Sequence, residues 1–143
     1  MAFSSDFAMI AYLKCMLAVA AATGLPPRIL PVIHAIEGGA TGMIRPDSNG
    51  TADLGVMQVN TIWIPALAVK AQLSGAQTES RLIADPCFNI AASALILRVY
   101  LAEDHGDLMT AIGDYHSHTP ALMNDYEALA ERTARRLFVD KAP

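Results

Sequence analysis

The chain has 143 residues, enough for one domain with a sizeable core, and 53% of them are hydrophobic against 17% charged. Its formal net charge is −4, and the one concentrated basic stretch, Arg132, Arg135 and Arg136, is interleaved with Glu127 and Glu131 as on a solvated helix face. This balance argues against nucleic acid or an anionic membrane as the main partner, and no uninterrupted apolar run is long enough to insert stably into a membrane.

In chain order, FAMIAYLKCMLAVAAA reads as the body of a first helix over about residues 5 to 23. Lys14 breaks its apolar centre and it leads into GLPPR without a cleavage-site context, so a signal peptide is not evident. PPRILPVIHAI reads as a short second helix, with Pro26 or Pro27 in its first turn and Ile29, Ile33 and Ile36 on one stripe. Glu37 falls on the same face, between Ile33 and Leu30, and Gly38 supplies the left-handed residue that ends the helix. Burial and the negative end of the helix dipole both disfavour the charged form of a carboxyl placed there. Such a group is suited to donate a proton near neutral pH, whereas a frayed helix end would simply turn it into water.

Residues 38 to 53, GGATGMIRPDSNGTAD, hold most of the turn chemistry, and SNGT predicts a small β-hairpin or twisted loop. Helices are predicted over about 61 to 74, 78 to 84, 87 to 104 and 107 to 115. A last one starts near Thr119, with Pro120 at its first position and Leu122, Tyr126, Leu129 and Leu137 on its stripe. PCFNIAASALILRVYLA is apolar on nearly all sides and predicts a central buried helix. With no repeat, low-complexity tract or linker, residues 1 to 143 read as a single domain, mainly α with a small β-hairpin.

Three stretches carry chemistry. Glu37 opens the first. In TADLGVMQVN, Gly55 permits a close backbone approach, Gln58 and Asn60 offer amides suited to sugar hydroxyls and N-acetyl groups, and Asp53 is a second carboxylate. A glycosidase places two such carboxyl groups on either side of the scissile bond. In AIGDYHSHTPALMNDY, Tyr115 ends a helix, where its hydroxyl is expected to meet Glu37 and fix the direction of the proton. His116 and His118 are two apart, as metal ligands can be. With no third ligand nearby, a turn lining a cleft is the better reading, and neither metal nor cofactor is expected. Tyr126 belongs to the core stripe. Cys15 and Cys87 have no zinc-like spacing and read as either buried thiols or one long-range disulfide.

A helix ending in Glu, then NGTADLGVMQVN, then AIGDYHS with a later Tyr, resembles the lysozyme-like lytic transglycosylases of the soluble, SLT type. The likeness is to the small specialised ones of type III and type IV secretion, conjugation and pilus systems. It runs from about Tyr12 to Tyr126 and includes a Cys in the first helix and a DPCFNI segment, Asp85 to Ile90. The resemblance implies a lysozyme-like α+β fold, a Cys15–Cys87 disulfide, a periplasmic location and cleavage of the β-1,4 bond between N-acetylmuramic acid and N-acetylglucosamine in peptidoglycan. It makes Glu37 the catalytic residue and places Gln58, Tyr115 and Met57 in the substrate cleft; the reading of the residues themselves adds Asn60, Asp53 and His116 as further contacts. The chain departs from the pattern where Gly38 replaces the usual Ser after the Glu and His116 the usual Asn after the Tyr.

Two other functions compete. The hairpin also resembles that of animal-type lysozymes, in which an Asp at the place of Asp53 is the second catalytic carboxylate of a hydrolase. A non-catalytic peptidoglycan-binding or secretion-assembly module would predict a lost Glu or a broken Gln-containing motif, and both are intact.

Overall fold

The computed structural model describes residues 2–116 and 120–138, apart from the side chains of 2–8, 120–127 and 129. His118 and the side chains of Leu122, Tyr126 and Leu129 therefore lie outside the described residues. The chain is mainly α with a small three-stranded antiparallel sheet.

Helix α1 (Ala2–Thr23) precedes the short α2 (Ile29–Glu37), which buries Ile29, Leu30, Val32, Ile33 and His34. Strands β1 (Ile44–Pro46), β2 (Ala52–Leu54) and β3 (Val59–Asn60) follow, in the order β1-β2-β3. The expected hairpin is present, and β3 extends it through a segment that the sequence marked only as a motif. A 3₁₀ turn (Thr61–Trp63) leads into α3 (Ile64–Ala71), and then come α4 (Gly75–Ala84), α5 (Pro86–Glu103), α6 (Leu108–His116) and α7 (Pro120–Phe138).

The helix predicted over 61 to 74 is shorter for local reasons. The Asn60 side chain accepts from the Ile62 N–H and sets up the 3₁₀ turn. Gln72, left-handed at φ 57°, then ends α3. Helix α4 starts earlier than expected because Ser74 and Gln77 form a reciprocal capping box, each side chain bonded to the other's backbone N–H.

Helix α5 is the central helix, as its composition predicts. Asp85 caps it through the Phe88 N–H at 3.1 Å, Pro86 takes the first position, and Ile90, Ala94, Ile96 and Leu97 are buried. By length and composition this helix is apolar enough to cross a membrane, though Asn89, Arg98 and Glu103 interrupt its apolar run; half of it is buried inside the protein, as in a core helix. It packs against α1 on one side and α6 on another, and α7 lies over α6 and α2. One apolar cluster collects side chains from all of these helices and from β2 and β3.

Cys15 and Cys87 form a disulfide between α1 and the first turn of α5, with Cα atoms 5.6 Å apart, inside the ordinary range. The bridge closes a loop of 72 residues, which on a chain-entropy model is worth about 4 kcal/mol. It settles the choice left open by cysteine count alone.

Candidate active site

Glu37 is the last residue of α2, and its side chain is 14% exposed at the edge of that helix's buried face. Gly38, at φ 67°, returns its N–H to the His34 carbonyl at 2.9 Å and closes the helix, as the sequence predicts. The next residue is held from two sides. His34 Nε2 lies 3.0 Å from the Gly39 carbonyl, which can only accept, so the ring proton is on Nε2. A Cβ on Gly39 would run into the carbonyls of Gly55 and Val56, so only glycine lets the chain leaving Glu37 pass this close to the following motif. Tyr12 backs this arrangement from α1. Its ring meets His34 edge-on at 5.5 Å, and its hydroxyl accepts from the Thr41 N–H at 3.1 Å and lies 2.7 Å from Thr41 Oγ1.

The GVMQ turn is fixed chiefly by Asn89, which is fully buried on α5. Its Nδ2 donates to the carbonyls of Leu54 and Leu82, each at 2.8 Å, and its Oδ1 accepts from the Met57 N–H at 2.8 Å. Gly55, at φ 71°, sits so close that a Cβ would strike the Leu82 carbonyl and the Asn89 side chain. Tyr115 reaches the same turn from α6, and its hydroxyl donates to the Met57 carbonyl at 2.9 Å. The expected Tyr115–Glu37 bond is thus corrected, since the phenolic proton is committed to the backbone. Burial, followed by the Glu37 and Asp53 charges, pushes the phenol of Tyr115 well above its usual range, so it stays a neutral donor.

Met57 is corrected as well. Its side chain is fully buried in the core and does not line the cleft, while its backbone is the part that Asn89 and Tyr115 hold. Gln58 follows at φ 54°, a left-handed conformation unusual for a residue with a side chain. Its Nε2 donates to the Gly55 carbonyl at 2.9 Å, whereas its Oε1 is buried at the cleft wall with no partner among the described residues. An acceptor left in that state is costly unless something supplies a donor, as a sugar hydroxyl or an N-acetyl N–H does.

The sheet builds the opposite wall. Its register aligns Arg45 with Asp53 and Asp53 with Asn60, so one cross-strand rank faces the cleft. The Asn60 amide donates to Asp53 Oδ1 at 2.9 Å, Asp47 Oδ2 at 3.0 Å and Thr51 Oγ1 at 3.1 Å. The Thr51 hydroxyl lies 2.6 Å from Asn49 Oδ1 and 3.0 Å from Asp47 Oδ2, and its one proton serves both acceptors. Asn60, expected to present its amide to substrate, spends it on the sheet. Burial pushes the Asp53 carboxyl up; the Asn60 bond pulls it down, and the Asp47 and Glu37 carboxyls push it further up.

Between the walls lies a cleft of about 490 Å³. Glu37, Gln58, Asp53, Asn60, Tyr115 and His116, six of the seven residues assigned to catalysis or substrate contact from sequence, line it. His116, half-exposed, places its Nδ1 3.6 Å from Glu37 Oε1, and Arg45 donates to the Glu37 backbone carbonyl at 3.3 Å. Sequence reasoning missed Arg45, Asp47, Asp114, Trp63 and Tyr100, which line the same space. Trp63 meets Tyr100 edge-on at 5.7 Å at the apolar end of the cleft, an aromatic surface of the kind on which a sugar ring can lie. A signal for it existed: it is the sole tryptophan, three residues past Asn60. Burial and the charges of Asp114 and Glu103 push the Tyr100 phenol up to about 12.

The cleft is thus acidic, with a mostly buried carboxyl facing a sheet wall whose own carboxyls are tied to one another through an amide. No protein-family model matches the chain, and no curated protein matches it in sequence.

Proposed function

We propose that the protein is a lytic transglycosylase that cleaves the MurNAc-β-1,4-GlcNAc bond of peptidoglycan with formation of 1,6-anhydromuramyl ends. Glu37 is the acid and then the base. Its carboxyl proton passes to the glycosidic oxygen as the C1–oxygen bond breaks. The resulting carboxylate takes the proton of the C6 hydroxyl on the same muramyl residue, and that oxygen bonds to C1. The nucleophile comes with the substrate, so no water and no second enzyme carboxylate is consumed.

One observation carries this reading. The mostly buried Glu37 carboxyl faces a glycan-sized cleft in which Asp47 and Asp53, on the opposite wall, are bound into a network with Asn60 and Thr51. These bonds fix Asp53 in place and do not bar it from chemistry, so the preference for the lyase over the hydrolase comes from the resemblance of the motifs. The Gln58 acceptor, unpartnered among the described residues, and the Trp63–Tyr100 surface add groups suited to N-acetyl sugars. The disulfide fits an oxidising compartment such as the periplasm. Work for a secretion, conjugation or pilus apparatus, with its components as partners, rests on the resemblance of the motifs alone.

Asp53 lines the same cleft as Glu37, and this favours a second reading, a lysozyme-type muramidase using both. The experiment that separates them is mass spectrometry of the soluble products from purified peptidoglycan, with Glu37→Gln as the control. Muropeptides one water lighter than hydrolysis products, absent with the variant, are the expected result. Reducing-end products of full water content would replace the lyase by the hydrolase. No products from a folded protein would leave a binding module.

A further inference from the structure

The chain's departure at His116 falls next to its most important carboxyl. His116 is the last residue of α6 and Glu37 the last of α2, so two helix C-termini converge on the pair. Each brings a partial negative charge that favours an imidazolium and opposes loss of a proton. The imidazole Nδ1 and the carboxylate Oε1 are 3.6 Å apart, with the carboxyl 14% and the ring 47% exposed. Among the described residues, the other charged or titratable groups lining this space are Arg45 from β1, Asp47 from the β1–β2 turn and Asp53 from β2. Tyr100 from α5, and Asp114 and Tyr115 from α6, complete the set. Carboxylates outnumber the one guanidinium, and the balance again favours keeping a proton in the cleft.

We infer that His116 is a positioning residue that shares one proton with Glu37, so that the pair, rather than the carboxyl alone, sets the protonation state in which the cleft works. The inference rests on the proposed acid–base role of Glu37 and adds to it. Between turnovers the proton resides on either the carboxyl or the imidazole. The fraction on Glu37 is then constant for as long as the pair holds one proton. The reaction itself uses only the Glu37 proton, which goes to the leaving oxygen and is replaced from the C6 hydroxyl, so His116 is neither consumed nor charged in the balance. The Glu37 carboxyl beside it draws His116 upward from the usual imidazole value, against burial, and the Asp53 charge adds to it. This extends the one-proton window toward neutral pH.

Two measurements test this together. The first is an NMR titration of the imidazole protons in wild type and Glu37→Gln, with His116→Asn used to assign the resonance. The His116 midpoint is expected to fall in Glu37→Gln, as the carboxylate that raises it is removed. The second is the pH dependence of initial rates on purified glycan strands. Wild type should be level over a stretch of pH on the acid side of the His116 midpoint. His116→Asn should lose about tenfold per pH unit there, being the more active at the acid end. His116→Gln, a second neutral amide, should match it. An unmoved His116 midpoint in Glu37→Gln overturns the pairing, whatever the activity. A moved midpoint with unchanged slopes overturns the role. If no glycan is cleaved at all, the functional reading fails on its own, and the titration still decides whether the proton is shared.

Discussion

The two walls of the cleft carry similar residues and use them differently. The sheet wall holds Asp47, Thr51, Asp53 and Asn60, and their side chains are spent on one another. The helix wall holds Glu37 and His116 at two converging helix ends, paired at 3.6 Å and reachable from the cleft. A carboxyl held by a fixed amide, a hydroxyl and a neighbouring carboxyl, as Asp53 and Asp47 are, keeps its place in the wall. One whose partner is a titratable ring can change state during a reaction. Composition does not separate the walls; connectivity does.

The sharpest way to break the comparison is to neutralise one carboxyl on each. Glu37→Gln should abolish anhydro-product formation, a loss of roughly 10³-fold or more, since an acid and a base contribution go together. Asp53→Asn should fall well short of the roughly 10²–10⁴-fold that a participating acid or base is worth, and should leave product mass unchanged. Equal losses, read by product quantitation, would place chemistry on both walls and favour the hydrolase.

Next in size is the hinge between the walls. Asn89→Ala leaves the Leu54 and Leu82 carbonyls and the Met57 N–H without their buried partner. A cost of about 3 kcal/mol is expected in urea unfolding, from buried polar groups left unmatched. Activity should fall with it below the melting transition, because the same turn carries Gln58. Unchanged stability would mean that the turn is held by its glycines and not by Asn89.

Much of this architecture was legible in the sequence, and the gaps have physical causes. Gly38 after an apolar stripe marked the end of α2 at Glu37 correctly, because a left-handed helix terminus is a local event. The central helix was legible because apolar residues on all sides leave it no other place. The wall assignments were not, since they depend on register. Arg45, Asp53 and Asn60 are far apart in sequence and become one rank only when three strands pair. Asn60 was read as a substrate contact because its amide suits sugars, and Met57 because the resemblance puts a methionine in the cleft. Which way the side chain of Met57 turns is decided by the left-handed residue after it and by Asn89 thirty-two positions on. His116 was noted for its proximity to His118, while its partner is on another helix.

Asn60→Ala tests the sheet wall with a smaller effect. It removes an amide whose two N–H groups serve three acceptors, and with it the cap on the Thr61–Trp63 turn. These sites are partly solvated, so about 1–2 kcal/mol is expected, well under the Asn89 value. Glycan affinity should weaken as Trp63 loses its fixed place, while the anhydro product persists. A normal affinity with the same melting loss would show that Trp63 is held by α3 instead.

The smallest effect distinguishes carboxyls by sign. Burial pushes Asp53 up, the Asn60 amide partly offsets it, and Asp47 and Glu37 add to the rise. A carboxyl that binds its proton more tightly when folded contributes stability that is complete below the ordinary value of 3.8 and is lost as pH rises through the folded value. Asp53→Asn does not titrate, so its melting temperature should gain on wild type from about pH 4 toward neutrality. Asp85 supplies the opposite sign. Desolvation pushes it up, but the Phe88 N–H and the Arg81 guanidinium outweigh that and hold it below the usual value. Its contribution is present above the unfolded value and is lost as pH falls through the folded one. Asp85→Asn, which keeps a capping side chain, should therefore approach wild type only in acid. If the two variants shift in the same direction across this range, Asp53 is an ordinary ion-paired carboxylate, and the sheet wall is less different from the helix wall than its hydrogen bonds indicate.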